Sequence, residues 1–427
     1  MNIRDIIQKK RDKKELTEEE IKYFIISYFR DEIMEEQAAA LLTLIYTNGI
    51  TQKEMAYLTT AMAETGQECE LYRISNQIVD IHPIGGIEDK VVIMLMCVIA
   101  ALDIPIAKIS GRELGLEDRL LSIPSYNTKV NFEEFREMVN NTNIGIMAEP
   151  IDIAPVEEKL YRLRNSIACN DDIALITMSI MSQKIAIGAR NIIFDITCGE
   201  NAYVKTYKDA KKMANYFINI GNNIDRNVKC IISKMEEPIG SYFGNILEIK
   251  EVITALNGEM TEDMAEMLCA FGSRILKMLK VVNSEKEAKK YILDTIKSGK
   301  AFYAFSKFLI YQGIDVNSIK TIKEANYVVP IISNVQGYVR EIDVSEIRNT
   351  AVFLNAIKRK KEESLDIGAG IKLCKKVGDK VEVGEIIATV YTNDETKITK
   401  AINAISDAYS FQEKIILNKS RILGIIE

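Results

Sequence analysis

The densest chemistry in the sequence lies between Asp80 and Lys90, which reads DIHPIGGIEDK. It holds His82, the single histidine among 427 residues, together with the pair Gly85-Gly86 and the acids Glu88 and Asp89. An apolar run through Ile78, Val79 and Ile81 precedes it, and another from Val91 to Leu102 follows. A strand, a glycine turn and a helix start, in that order, present free backbone N–H groups and the positive end of a helix dipole to an anion. Pro83 has no N–H to contribute, and Glu88 and Asp89 would repel an anion. The stretch has the backbone plan of an anion cradle and side chains that oppose one.

Composition narrows the classes of function. Fifty-five basic against 61 acidic residues give a formal charge of -6, which argues against nucleic-acid binding. No run approaches the ~20 apolar residues that span a membrane. The opening MNIRDIIQKKRDKK lacks the apolar region of a signal peptide. Seven cysteines are scattered without a CxxC, and one histidine leaves little for a zinc site. Reduced thiols of a cytoplasmic protein are the expectation.

The elements that must position the loop follow from periodicity. Helices are expected over the first 66 residues, with capping boxes at Thr17/Glu20 and Thr51/Glu54 and a helix from Met34 to Tyr46 stopped at Asn48-Gly49. The strand ending at Ile81, the helix from Val91 and the run Ile104 to Ile109 form a β-α-β unit, whose parallel strands require a crossover. Helices are expected at 132–140, 156–163, 173–187 and 210–220, strands at 144–147, 192–196 and 228–232, and mostly helix from 246 to 311. After about Asn326 short Gly-punctuated strands take over; GDKVEVGE among them resembles a biotinyl or lipoyl carrier sheet, but no acceptor lysine motif accompanies it, so a structural role is expected. The expected fold is multi-domain α/β. A small helical domain (1–66 and 154–190) faces a larger α/β domain with a mainly parallel central sheet (67–153 and 191–325), and a C-terminal α+β domain covers 326–427.

Several segments in sequence order carry a family resemblance: KKRDKKELTEEEI, VDIHPIGG, KISGR, LSIPSY, YRLRNS, SIMSQKIAIGA, GNILEIKE and KKVGDKVEVGE. Together the chain resembles the pyrimidine nucleoside phosphorylase and thymidine phosphorylase family over essentially its whole length. The resemblance implies two domains closing on nucleoside and phosphate, a homodimer through the helical domain, and no cofactor. The reaction it implies is reversible phosphorolysis of uridine or thymidine, the work of a pentosyltransferase. His82, Arg164, Ser179 and Gln183 align with base-side positions; Gly85, Gly86, Lys108 and Ser110 align with the phosphate site; Glu251 aligns with a cation site. Arg164 could equally form a helix–helix ion pair, His82 could be a structural histidine, and Asp171-Asp172 read as a helix N-terminal acid pair.

The family's phosphate loop reads Lys-His-Ser-Thr-Gly-Gly-Val-Gly-Asp. Here Ile81, Pro83, Ile84 and Glu88 stand at its lysine, serine, threonine and third glycine, and a short deletion follows Arg112. In the loop that closes in the family, Glu200 and Asn201 reduce the glycine content. Losing a charged donor and two hydroxyls removes about 5–9 kcal/mol of anion binding. Lys90, at the start of its helix, is expected to point outward rather than replace the missing donor. The main expectation is therefore a pseudoenzyme that keeps a pyrimidine nucleoside, base or related ligand but has lost phosphorolysis. The alternative is an active phosphorylase with a remodelled phosphate site. A third possibility is a nucleoside hydrolase in which Glu88 or Asp89 activates water.

Overall fold

Four helices open the chain: α1 (Ile3–Arg11), α2 (Glu18–Phe29), α3 (Glu35–Asn48) and α4 (Gln52–Ala63). The computed structural model describes residues 1–85, 89–110, 115–150, 152–199, 202–235, 237–358, 363–414 and 420–427. Both expected capping boxes form, each threonine accepting from the N3 amide while the N3 glutamate returns to the cap backbone. The Glu54 carboxylate also accepts from Lys10 Nζ at 2.8 Å and Leu16 N at 2.9 Å, so the cap ties α4 to α1 and to the α1–α2 connection. Helix α3 stops at Gly49, whose φ of 82° needs a residue without Cβ strain.

The sheet begins with β1 (Val79–Ile84), crosses through α5 (Asp89–Ala100) and returns as β2 (Ile106–Ser110), parallel to β1. After α6 (Leu116–Leu121) and α7 (Phe132–Thr142), β3 (Ile144–Ala148) pairs in parallel with β2. Helices α8 (Pro155–Ser166) and α9 (Ile173–Ile187) then leave the sheet and rejoin the first four, where Val156, Leu160 and Met178 share one apolar core with Phe24, Leu41 and Leu58. Asp172 caps α9 by accepting from Leu175 N at 2.8 Å, which is the structural reading of that acid pair.

The chain returns through β4 (Asn191–Cys198), α10 (Tyr207–Asn223), β5 (Asn227–Lys234) and the short β6 (Tyr242–Phe243). Five helices follow: α11 (Asn245–Leu256), α12 (Glu262–Met278), α13 (Glu285–Lys297), α14 (Lys300–Tyr311) and α15 (Val316–Lys320). Strand β4 is buried at every residue, as a central parallel strand covered on both faces must be.

The last part contains β7 (Tyr327–Ile332), β8 (Gly337–Ile342), α16 (Val344–Phe353), β9 (Gly370–Leu373), β10 (Lys380–Val381), β11 (Ile386–Thr392), α17 (Ile398–Ala408), β12 (Tyr409–Gln412) and β13 (Ile422–Ile426). Its two small sheets run β10-β8-β12 and β6-β9-β11-β7. The central sheet runs β13-β5-β4-β1-β2-β3, and only β13 is antiparallel. The tail thus departs from the sequence reading. Residues 422–426 leave the C-terminal unit and cover the open edge of β5, whose backbone groups would otherwise lie unpaired.

The expected three-part fold class is present, and its topology marks a place for a ligand. From β1 the chain proceeds to β2 and β3 on one side, while β4 and β5 lie on the other. In an open α/β sheet that reversal leaves a crevice beyond the carboxyl end of the first strand. His82 and Gly85 stand there.

Candidate active site at the carboxyl end of β1

His82 lies in register with Phe194 of β4, and the two rings meet in a T-shaped contact with centroids 6.0 Å apart. Its Nδ1 is buried with no hydrogen-bond partner. Burial, then the nearby ammonium groups of Lys184 and Lys108, hold its pKa well below the ordinary imidazole value. His82 is therefore a neutral imidazole at physiological pH.

Lys108, on β2, is 4% exposed. Its ammonium donates to the Ile81 carbonyl at 3.3 Å, and no carboxylate among the described residues lies within ion-pair distance of it. Burial, and then Lys184, push its pKa down to about 8, against the pull of Asp80 and Asp89. A buried cation with one carbonyl partner is an incomplete arrangement that an anion would complete. Lys184 differs: it forms a buried ion pair with Asp80 at 2.9 Å, joining α9 to β1. Ser110 is buried at the end of β2.

A second group sits on the helical side. The Arg164 guanidinium is 4% exposed and donates through Nη2 to Glu157 Oε1 at 3.3 Å, and the Ser179 hydroxyl donates to the same oxygen. Arg164 Nε is buried without a partner. Burial lowers the guanidinium's pKa, opposed first by Glu157 and then by Tyr203 and Tyr161. The Arg164–Glu157 pair lies within α8, so no helix–helix ion pair of Arg164 forms among the described residues; Ser179 of α9 makes the contact between the two helices, and one guanidinium donor is left unused. Gln183 points elsewhere, donating to Glu149 Oε1 at 2.9 Å.

Tyr203 links the two groups. Its hydroxyl donates to the Asn170 carbonyl at 3.2 Å, across from the β4–α10 connection to the helical unit. Its backbone packs on Gly85, whose φ is 79°; a Cβ added there would stand 3.0 Å from Tyr203 Cβ. Beside Tyr203 opens a cavity of about 570 Å³, with Ile173, Ile176, Val204 and Met213 in its wall, and none of the sequence-derived site residues line it. Gly86, Glu88, Arg112, Glu200 and Asn201 lie outside the described residues.

Two sequence expectations change. Lys90 does not point outward. It is wholly buried, because Glu251 Oε2 at 2.7 Å and the Tyr242 carbonyl at 2.6 Å satisfy its ammonium. Glu251, aligned with a cation site, is thereby engaged by the protein's own cation, and no cluster of three potential metal ligands occurs among the described residues. Asp89, a candidate water-activating base, is bound by Arg119 at 2.8 Å, and Arg119 is held in turn by Glu248 at 2.5 Å.

Sequence reasoning missed Glu157, Tyr203 and Arg119. Glu157 could have been found: it precedes Arg164 by seven residues, two turns of the same helix face. Arg119 follows the shortened segment after Arg112, where the family pattern gives no guide, and Tyr203 lies in a loop of changed composition whose partner, Asn170, is distant in sequence.

Three family models match the chain: the glycosyl transferase family helical bundle domain over residues 4–66, the glycosyl transferase family a/b domain over 75–302, and the pyrimidine nucleoside phosphorylase C-terminal domain over 338–412. The pyrimidine-nucleoside phosphorylase of Staphylococcus epidermidis is 38% identical over 400 residues, 92% of each chain. That of Bacillus subtilis is 38% identical over 402 residues, 92% of this chain and 93% of the relative. In fold the chain is similar to anthranilate phosphoribosyltransferase from Thermus thermophilus, with a TM-score of 0.56 at 15% identity over 72% of this chain and 99% of that one. On this similarity over nearly its whole length, the chain belongs to the pyrimidine nucleoside phosphorylase family.

Proposed function

We propose that the protein is a pyrimidine nucleoside phosphorylase whose phosphate site is rebuilt around Lys108. The observation that carries this reading is the buried Lys108 ammonium, which among the described residues has only a carbonyl for a partner. The names of the Staphylococcus epidermidis and Bacillus subtilis relatives, both pyrimidine-nucleoside phosphorylases, support it over loss of the reaction. Ile81, Pro83 and Ile84 cannot donate side-chain hydrogen bonds to phosphate. The charge that anion binding needs comes from Lys108, with Ser110 beside it on the same strand. Arg119 offsets one of the two acids that sequence reading placed against the anion, by pairing with Asp89.

The base sits against Arg164 and Ser179, with Glu157 orienting both, and with His82 at the strand end. As a phosphate oxygen bonds to the anomeric carbon and the C–N bond breaks, negative charge moves onto the pyrimidine. The unused Arg164 Nε donor and the neutral His82 ring are suited to receive it. Lys108 holds the attacking dianion in place. The helical unit leaves Phe29, Met34, Tyr46 and Tyr161 exposed, which supports a homodimer formed through that unit. Seven free cysteines, six of them buried, support a reducing cytoplasmic setting.

The second reading, ligand binding without turnover, is favoured by the three donor positions now held by Ile81, Pro83 and Ile84. Phosphate dependence separates the two. Uridine or thymidine should release base at a rate that rises and saturates with phosphate, and Lys108→Met should lower kcat/KM about 10- to 150-fold, the worth of one charge-assisted contact. No release under any phosphate concentration favours the second reading. Release without phosphate favours hydrolysis.

A further inference from the structure

The family resemblance implies a cation beside Glu251, and the atoms around that carboxylate do not fit one. Glu251 Oε1 accepts from Ser241 N at 2.6 Å; Oε2 accepts from Lys90 Nζ at 2.7 Å and from Tyr242 N at 3.3 Å. Lys90 Nζ also donates to the Tyr242 carbonyl at 2.6 Å and stands 4.8 Å from the centroid of the Phe243 ring. Carboxylate, carbonyl and ring face thus surround one ammonium, and the two paired side chains are 0% and 8% exposed. The backbone wraps closely around the acid as well: a Cβ on Gly240 would stand 2.8 Å from both Glu251 oxygens. A hard metal ion would bind these same carboxylate and carbonyl oxygens. It could do so only by displacing the ammonium, because two buried positive charges at that spacing repel strongly.

We infer that the Lys90 ammonium is a tethered cation standing where a metal ion would bind at Glu251, and that the chain holds this part of its active site together without a metal. Lys90 is the second residue of α5 and follows the glycine loop directly, while β6 belongs to the small sheet it shares with β9. The ammonium therefore fastens the start of α5 to α11 and, through β6, to the C-terminal unit. A bound metal would make that fastening depend on metal concentration. A lysine makes it permanent. Lys90 is in this sense a positioning residue, its ammonium taken up by Glu251 and the Tyr242 carbonyl.

The test is a set of thermal midpoints for the native protein and for Lys90→Ser. Each is measured in potassium, ammonium or calcium chloride against tetramethylammonium chloride at equal ionic strength. The native midpoint is expected to agree within about 1 °C across all salts; Lys90→Ser is expected to melt lower in tetramethylammonium and to recover by about 2 °C or more, saturably, with one of the smaller cations. A saturable rise in the native protein overturns the inference, as does a folded Lys90→Ser protein indifferent to every cation. Should Lys90→Ser fail to fold, the native titration alone still decides between a filled and an open site. The readout needs no substrate, so its result is independent of whether the protein is a phosphorylase.

Discussion

At the scale of single residues, the reading rests on which buried charges have partners. Lys184, Lys90 and Arg119 are each matched by a carboxylate, whereas Lys108 has none among the described residues. Keeping an unmatched ammonium in the sheet costs stability, and phosphate would offset that cost. Lys108→Met should therefore stabilise the ligand-free protein by about 1–3 kcal/mol in urea denaturation while abolishing the rise in midpoint that phosphate gives the native chain. A variant that is both less stable and still phosphate-responsive would show Lys108 to be structural. The pKa near 8 adds a second check, since phosphate binding should weaken as pH rises above that value and the ammonium loses its proton.

His82 gives a clean pH experiment because it is the only histidine. Its pKa is depressed in the folded state, so below about 6.5 the unfolded chain takes up a proton that the folded one refuses. Its contribution to stability is complete above that pH and is lost as pH falls. His82→Asn should remove up to about 1.4 kcal/mol per pH unit of acid sensitivity between about pH 6.5 and 5, read from denaturation midpoints. An unchanged slope would mean that the ring protonates freely in the folded protein.

At the scale of elements, the turn after β1 is the critical piece. Gly85 has a φ of 79° and lies under Tyr203, so two elements meet at an atom that no other residue lacks. Gly85→Ala should cost about 1–3 kcal/mol through backbone strain and contact with Tyr203, and it should raise KM for nucleoside by moving the Tyr203 loop from Asn170. Equal KM and stability in the variant would remove Gly85 from the account. Most elements were legible in the sequence. Helix α9 coincides with the expected 173–187, and the capping boxes at Thr17 and Thr51 form because their signals are local. The destination of Lys90 was not legible. A lysine in the first turn of a helix ordinarily faces water, and the acid that draws it inward lies 161 residues away. Strand β13 was hidden for a similar reason: five residues of unremarkable pattern acquire their role only from the open edge of β5.

At the scale of the whole molecule, the proposed site draws on both the sheet and the helical unit. His82, Lys108 and Gly85 come from the sheet; Arg164, Ser179 and Glu157 come from the helical unit; and Tyr203 reaches between them. The sequence motifs singled out His82, Gly85, Lys108, Arg164 and Ser179 but not Glu157 or Tyr203, and they could not say which charges remained available, because availability depends on pairings such as Asp89–Arg119 that span distant segments. That is why the loop alone suggests a lost phosphate site, whereas the folded chain retains a buried cation beside it. The most direct test measures uracil and ribose 1-phosphate together from uridine, with and without phosphate, for the native protein and Lys108→Met. The expected result is one sugar phosphate per base, saturation with phosphate in the native protein, and loss of most of that activity in the variant. Absence of sugar phosphate from the native protein, or a Lys108→Met enzyme as active as the native one, would contradict the account.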